Sequence, residues 1–293
     1  MSVPRSVYFQ SQRLRLHYWD WGNEAAPSLV LLHGGEDHAR SLDALAEGLR
    51  GAFHVVAPDL RGHGDSAWTS DGVYAAPCFV LDLANLLDTL GAARAVLVGH
   101  SLGGAIALRY AGIFPERVSA LAAIEGVGHT PPKLRAKLDR PPEILWAEWV
   151  AEQQVLAAKA PRYYQTLAEA AARMRAVNPH LSQELALHLV TTGLRRHSDG
   201  SFSWKFDPAM RSFLPVDIGD AERRALWARI TCPVLLAHGG QSWASDPADD
   251  GNAGCFADAR VVHFPDAGHW LHHDEPAVFL AALRTFLLNE NNA

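Results

Sequence analysis

The chain has 293 residues, of which 48% are hydrophobic and 20% are charged, and its formal net charge is -6. These values are typical of a globular protein with one large domain, or with a core domain plus an insertion. The negative charge gives no electrostatic case for binding nucleic acid or an acidic membrane. The start of the chain lacks the apolar core of a signal peptide, and no run is long enough to span a bilayer, so we expect a cytoplasmic protein.

Strands and helices alternate along the first 127 residues. Two alternating runs open the chain, and a short continuous apolar run follows that is typical of a strand buried on both faces. The patterns predict strands at 7–10, 14–19, 29–32, 54–57, 95–98 and 118–124, and helices at 41–49, at 78–90 and just after residue 101.

The chain between 95 and 108 holds the most informative local pattern. Gly99-His100-Ser101-Leu102-Gly103 follows a valine-rich run and precedes a helical pattern, which is the setting of a G-x-S-x-G nucleophile elbow. A serine on so sharp a turn adopts a strained backbone, and side chains two residues away on either side would collide. A glycine-rich turn of this kind could also hold a dinucleotide phosphate, but the G-x-G-x-x-G pattern is absent.

The alternation stops between 128 and 214. Predicted helices at 143–159, 163–177 and 181–196 follow one another without a strand signal, which predicts an inserted helical lid rather than one long loop. Alternation then resumes, with a helix at 222–229, strands at 233–237 and 260–264, and a final helix at 276–288. We therefore expect a core in two parts, 1–127 and 215–293, with a cap at 128–214.

Repeated strand-loop-helix units predict an α/β fold with a mostly parallel central sheet and helices on both faces. In such sheets ligands bind beyond the carboxyl ends of the strands. Polar or glycine residues fall at those ends in six places, namely His33, Asp59, Ser101, Glu125, Gly239 and His269.

Four short motifs occur in an order shared by one large group of enzymes. They are His33-Gly34-Gly35, the run from Asp59 to Ser66, the elbow around Ser101, and Gly268-His269. On these motifs the sequence resembles the α/β-hydrolase superfamily over nearly its whole length, and most closely its cofactor-free, capped members of the esterase, epoxide hydrolase and haloalkane dehalogenase type. The resemblance implies no cofactor and no metal. It also implies structural roles for Asp59, His33 and His100.

Ser101 is the nucleophile that the resemblance implies. Epoxide hydrolases and haloalkane dehalogenases carry an aspartate at this elbow, whereas an activated serine attacks carbonyl carbon and gives an acyl-enzyme. Ser101 therefore favours acyl chemistry. The backbone N–H groups of Leu102 and Gly35 are expected to form the oxyanion hole.

His269 is the expected general base, because it follows the last predicted strand, where the order nucleophile, acid, base places it. The neighbouring His272, His273 and Asp274 could suggest a metal site with it, but they match no metalloenzyme signature. We interpret His272 and His273 as surface or pocket-rim residues.

The acid of the triad has two main candidates. The superfamily usually places it three or four residues past the glycine that ends the strand at 233–237, but Gly240-Gln241-Ser242-Trp243 holds no carboxylate, and the next acid is Asp246. Glu125 stands at the alternative place, directly after the sixth strand, and a carboxylate there needs a partner such as a histidine N–H. We favour Glu125 over Asp246 and over further acids such as Asp249, although Glu125 could instead pair with an arginine of the lid.

Four tryptophans complete the candidate site, either as walls of an apolar pocket or as packing between lid and core: Trp146, Trp149, Trp243 and Trp270.

The candidate catalytic residues favour a serine hydrolase that cleaves carboxylic esters, with lactones and thioesters as further substrates. Hydrolysis of a carbon-carbon bond in a diketone-like substrate and a non-catalytic small-molecule receptor are the alternatives. The sequence predicts a small ester-like partner and no nucleic acid, and it favours no particular oligomeric state.

Overall fold

A twisted sheet of eight strands organises the protein. The structure is a computed structural model that describes residues 3–127, 140–158, 162–212 and 218–290. The strands of these ranges are β1 (Arg5–Ser11), β2 (Leu14–Asp20), β3 (Ser28–Leu32), β4 (His54–Asp59), β5 (Ala95–His100), β6 (Val118–Ile124), β7 (Leu194–Arg196), β8 (Phe202–Trp204), β9 (Val234–Gly239) and β10 (Ala259–Phe264).

The strand order in the large sheet is β1-β2-β4-β3-β5-β6-β9-β10. Strands β1 and β2 pair antiparallel, and β2 pairs antiparallel with β4. All pairs from β4 to β10 are parallel. The predicted mostly parallel sheet is thus confirmed, and the carboxyl ends of β3, β5, β6, β9 and β10 meet at one edge.

Helices cover both faces of this sheet. The helices of the described ranges are α1 (Asp43–Leu49), α2 (Ala76–Thr89), α3 (Leu102–Ile113), α4 (Pro142–Ala158), α5 (Leu167–Val177), α6 (Gln183–Gly193), α7 (Asp220–Trp227), α8 (Leu271–Asp274) and α9 (Pro276–Glu290). One apolar cluster joins the sheet to α2, α3 and α7, and a second joins the opposite face to α1 and α9.

The apolar run of β3 explains why the sheet is buried on both sides. Successive side chains of a strand point to opposite faces. Leu29 and Leu31 accordingly belong to the cluster under α1 and α9, whereas Val30 and Leu32 belong to the cluster under α2 and α3. A strand with apolar residues at every position is stable only between two layers of helices.

The segment predicted as a purely helical cap contains a β-hairpin, so this part of the prediction is wrong. Helix α6 ends at Gly193, and β7 pairs antiparallel with β8. Asp199 and Gly200 form the connecting turn, in which Gly200 has a φ of +87°. Asp-Gly between short strands is a typical hairpin signal, because the turn needs a positive φ. The predicted cap boundaries at 128 and 214 lie outside the described residues.

Asp59 braces the loops around the carboxyl end of β4. Its buried carboxylate accepts hydrogen bonds from Ala39 N at 2.9 Å, Asp65 N at 3.0 Å and His17 Nδ1 at 2.8 Å. Burial alone raises the pKa of this carboxyl, but the bonds from His17 and the backbone lower it to about 2. Asp59 also forms, with His17 and Asp65, the one group of three closely spaced potential metal ligands within the described residues. The structural role expected for Asp59 is confirmed.

None of the helices in the described ranges combines the length and the apolar character needed to cross a membrane.

Candidate active site

Ser101 lies on a strained turn between β5 and α3. Its backbone has φ 49° and ψ -110°, and its N–H donates to the carbonyl of Ile124 at 2.8 Å. A positive φ is unfavourable for a residue with a side chain and persists only where the surrounding structure enforces it. The turn therefore fixes the serine at the edge where the parallel strands end.

Glycines allow the turn because backbone packs directly on backbone around it. A Cβ added to Gly99 would lie 2.4 Å from the carbonyl carbon of Gly103, and one added to Gly103 would lie 2.3 Å from the carbonyl oxygen of Leu32. Any side chain at either position would therefore displace the helix from the sheet. The expected steric reason for the G-x-S-x-G pattern is confirmed.

The loop after β3 packs against this elbow. A Cβ added to Gly34 would lie 2.7 Å from His100 Nδ1, whereas one added to Gly35 would meet nothing within 4 Å. Gly34 thus lies against the elbow, and the next residue, Gly35, has open space in front of it. The N–H of Leu102 is in the first turn of α3, where it has no acceptor within the helix and stands at the positive helix end.

Two neutral histidines hold the loop in place. His33 Nδ1 donates to the carbonyl of Gly34 at 2.7 Å, and its Nε2 accepts from Leu60 N at 3.0 Å. His63 Nε2 accepts from Glu36 N at 3.1 Å. An imidazole that accepts a hydrogen bond must be unprotonated. Burial lowers the pKa of His33 to about 3, which matches this requirement.

His269 lies against the residue that precedes the serine. His100 Nε2 donates to the carbonyl oxygen of His269 at 2.9 Å, and the two rings are 5.0 Å apart. The structural role expected for His100 is confirmed by this bond. Within the described residues no hydrogen bond joins Ser101 Oγ to His269.

Glu125 reaches His269 from the end of β6. Its side chain is fully buried, and Oε2 lies 3.4 Å from His269 Nδ1. Oε1 accepts from Gly239 N at 2.5 Å and lies 3.2 Å from His238 Nδ1. Like Ser101, Glu125 has a positive φ, of 55°. The carboxylate is therefore held rigidly, with one oxygen bound to β9 and the other directed towards His269.

Ser242 joins this pair, although no motif in the sequence points to it. Its hydroxyl donates to Glu125 Oε2 at 2.7 Å and lies 3.4 Å from His269 Nδ1. Ser242 stands three residues past Gly239, in the loop where the superfamily usually carries its acid. The signal that could have identified it is a hydroxyl side chain at that place combined with a carboxylate after the sixth strand.

Asp246, the other candidate acid, points elsewhere. Its Oδ2 lies 2.7 Å from Nε2 of His263, a half-exposed residue on β10. The structure therefore brings Glu125 to His269 and pairs Asp246 with a different histidine.

The four tryptophans occupy different surroundings. Trp243 packs on His269, with ring centroids 4.4 Å apart and 31° between the planes. Trp270 packs edge-on against His273 at 5.6 Å. On helix α4, which lies in the predicted cap, Trp146 is 55% exposed and Trp149 is half-buried.

His272 and His273 are buried, which corrects the interpretation of both as surface or pocket-rim residues. The short helix α8 turns inward directly after Trp270. The ring of His272 consequently packs against that of His100, with 4.5 Å between the centroids, and the ring of His273 packs against that of His272, with 4.0 Å between the centroids. Within the described residues neither ring nitrogen of His272 has a hydrogen-bond partner. Burial lowers the pKa of both histidines, that of His273 to about 3.

Known proteins share this architecture over almost the whole chain. The sequence model of the alpha/beta hydrolase fold family matches residues 27–276. Esterase Rv0045c of Mycobacterium tuberculosis is 30% identical over 274 residues, which cover 91% of this chain and 84% of that protein. The sn-1-specific diacylglycerol lipase ABHD11 of Mus musculus is 29% identical over 273 residues, which cover 91% of this chain and 82% of that protein. A solved structure of the mycobacterial esterase superposes with a TM-score of 0.75 at 28% identity, covering 98% of this chain and 93% of that one. The chain therefore belongs to the α/β-hydrolase fold family.

The buried neutral histidines predict a loss of stability in mild acid. Burial lowers the pKa of five of them: His33, His63, His100, His272 and His273. Below pH of about 6.5 the unfolded chain takes up protons at these residues that the folded protein does not bind. Each histidine then lowers the free energy of unfolding by up to about 1.4 kcal/mol per pH unit.

Urea unfolding measured from pH 8 to pH 4.5 tests this account. The free energy of unfolding should fall steeply as the pH drops below about 6.5, since the total for a domain is only about 5–15 kcal/mol. In the variant His272→Phe the free energy of unfolding should fall less steeply with pH. The control variant His180→Gln, which replaces an exposed histidine, should follow the wild type. A free energy that stays constant down to pH 5 would contradict the neutral state of these residues.

Proposed function

We propose that this protein is a serine hydrolase that cleaves carboxylic esters, with lactones and thioesters as further substrates, through an acyl-enzyme. The observation that carries the proposal is the strained Ser101 elbow beside His269, whose Nδ1 lies 3.4 Å from the buried Glu125 carboxylate. The relatives named above as an esterase and a lipase support the same class of substrate.

In the proposed acylation step, His269 takes the proton of Ser101 Oγ while this oxygen attacks the carbonyl carbon of the ester. The N–H groups of Leu102 and Gly35 stabilise the negative oxygen of the tetrahedral intermediate. The intermediate collapses as the carbon-oxygen bond to the alcohol breaks, and His269 gives its proton to the departing oxygen. Water then attacks the acyl-enzyme by the same sequence, releasing the acid and restoring Ser101.

Glu125 supplies the orientation and the charge that this proton transfer requires. A carboxylate near Nδ1 keeps the proton on that nitrogen, so that Nε2 is free to act as the base, and it stabilises the imidazolium that forms. Ser242 donates to the same oxygen of Glu125 and lies next to Nδ1. We assign Ser242 a positioning role, which holds Glu125 Oε2 at the edge of the imidazole.

The variant Ser101→Ala tests the nucleophile. The wild type should hydrolyse p-nitrophenyl esters from acetate to longer acyl chains, and the variant should lose at least about 10³-fold in kcat, because only the serine forms the acyl-enzyme. Initial rates for both proteins, together with circular dichroism to confirm folding, provide the measurement. Equal rates for the two proteins, or a folded wild type inactive on every ester, would contradict the proposal.

A pair of isosteric variants tests the acid. Glu125→Gln should lower kcat by about 10²- to 10⁴-fold, because the amide cannot hold the imidazole in the required tautomer. Asp246→Asn is the matched control, since it removes a carboxylate that pairs with His263, and it should stay within about twofold of the wild type. The opposite ranking, measured with p-nitrophenyl butyrate at pH 7.5, would transfer the role of the acid to Asp246.

A further inference from the structure

Trp243 presents an uncovered aromatic surface at the proposed active site. Its side chain packs on the imidazole of His269, with 4.4 Å between the ring centroids, yet 61% of the residue is exposed. His269 itself is only 15% exposed. The indole thus covers part of the imidazole and leaves most of its own apolar surface in water.

The exposed indole stands on a fixed segment of backbone. Gly240 N donates to the carbonyl of Phe264, Gln241 N to that of Ala267, and Ser242 N to that of Gly239, each at 2.9 Å. The hydroxyl of Ser242 accepts from Ala244 N at 3.1 Å. Hydrogen bonds to β9, to β10 and the loop after it, and within the turn therefore hold the backbone on both sides of Trp243 in place.

The chemistry of the proposed reaction locates the alcohol part of the substrate beside this indole. His269 must deliver a proton to the departing oxygen, so that oxygen lies within hydrogen-bond distance, about 3 Å, of the imidazole. The first atoms of the alcohol group then come within reach of a ring that is itself in contact with the imidazole. A large rigid aromatic surface binds apolar and aromatic groups with little loss of conformational entropy.

The net charge of the protein disfavours an alcohol group that carries a negative charge. The protein has a formal net charge of -6. An alcohol group with its own negative charge would be repelled by this net charge.

We propose that Trp243 is the binding platform for the alcohol part of the substrate and that the enzyme prefers esters of aromatic alcohols that carry no negative charge. This inference rests on the proposed serine esterase function. Because the indole contacts the alcohol group both before and during the reaction, the platform acts on KM and on kcat/KM rather than on kcat alone.

Two butyrate esters with different alcohols test the platform. Methyl butyrate and benzyl butyrate give the same acyl-enzyme, so the ratio of their kcat/KM values reports acylation and alcohol binding alone. The wild type should prefer benzyl butyrate by at least about tenfold. Trp243→Ala should reduce this ratio to about one, and Trp243→Phe should retain most of it.

Tyr8→Ala is the control, because it removes a 42% exposed aromatic side chain from β1, at the opposite edge of the sheet from β9, and should leave the ratio unchanged. The series of p-nitrophenyl esters of increasing acyl length should keep its optimum in Trp243→Ala, since the platform faces the alcohol. Thermal unfolding of each variant establishes that it is folded. If Trp243→Ala is not folded, Trp243→Phe is compared with the wild type in its place.

The results separate the inference from the function on which it rests. An unchanged benzyl-to-methyl ratio in Trp243→Ala, with activity that still depends on Ser101, would overturn the platform and leave the esterase proposal standing. An equal loss for both esters with a shifted pH profile would also overturn it, because Trp243 would then act through His269. Absence of Ser101-dependent hydrolysis in the wild type would overturn both.

Discussion

Direct packing of backbone on backbone at the N-terminus of α3 is the constraint on which the site depends. Gly103 contacts the carbonyl of Leu32, and Gly104 contacts Gly126, where an added Cβ would lie 2.7 Å from the Gly104 Cα. These contacts bring the helix against β3 and against the turn after β6. Since Gly126 directly follows Glu125, the same packing that forces Ser101 into its strained conformation also fixes the carboxylate that faces His269.

Burial then determines how the polar groups of the site behave. The loop that carries Gly35 is held by neutral imidazoles, and Glu125 is held by a backbone N–H, by Ser242 and by the neighbouring histidines. Hydrogen bonds to a buried charge are strong because little water competes with them. These bonds hold the candidate site rigidly, and its surroundings contain several buried imidazoles that favour the neutral form.

The sequence predicted the elements that depend on local patterns. Apolar periodicity predicts the sheet and places Ser101, His269 and Glu125 at strand ends. The elbow is predicted by glycines that are required where backbone packs closely on backbone. Ser242 was missed because its role comes from a contact with Glu125 across 117 positions of the chain. The prediction of His272 and His273 as surface or pocket-rim residues is wrong because a four-residue helix is too short for its pattern to show which side faces the core. The hairpin after α6 was missed although Asp199-Gly200 is a local signal.

The most direct test of the account is covalent labelling with a p-nitrophenyl alkylphosphonate, which traps a serine that a neighbouring base activates. Mass spectrometry of digested protein should find a single adduct, on Ser101, and nitrophenol release should be at least about a hundredfold slower in Glu125→Gln. A label on another serine, no label at all, or equal rates in the two proteins would contradict the claim that the packing around α3 joins Ser101, His269 and Glu125 into one catalytic unit.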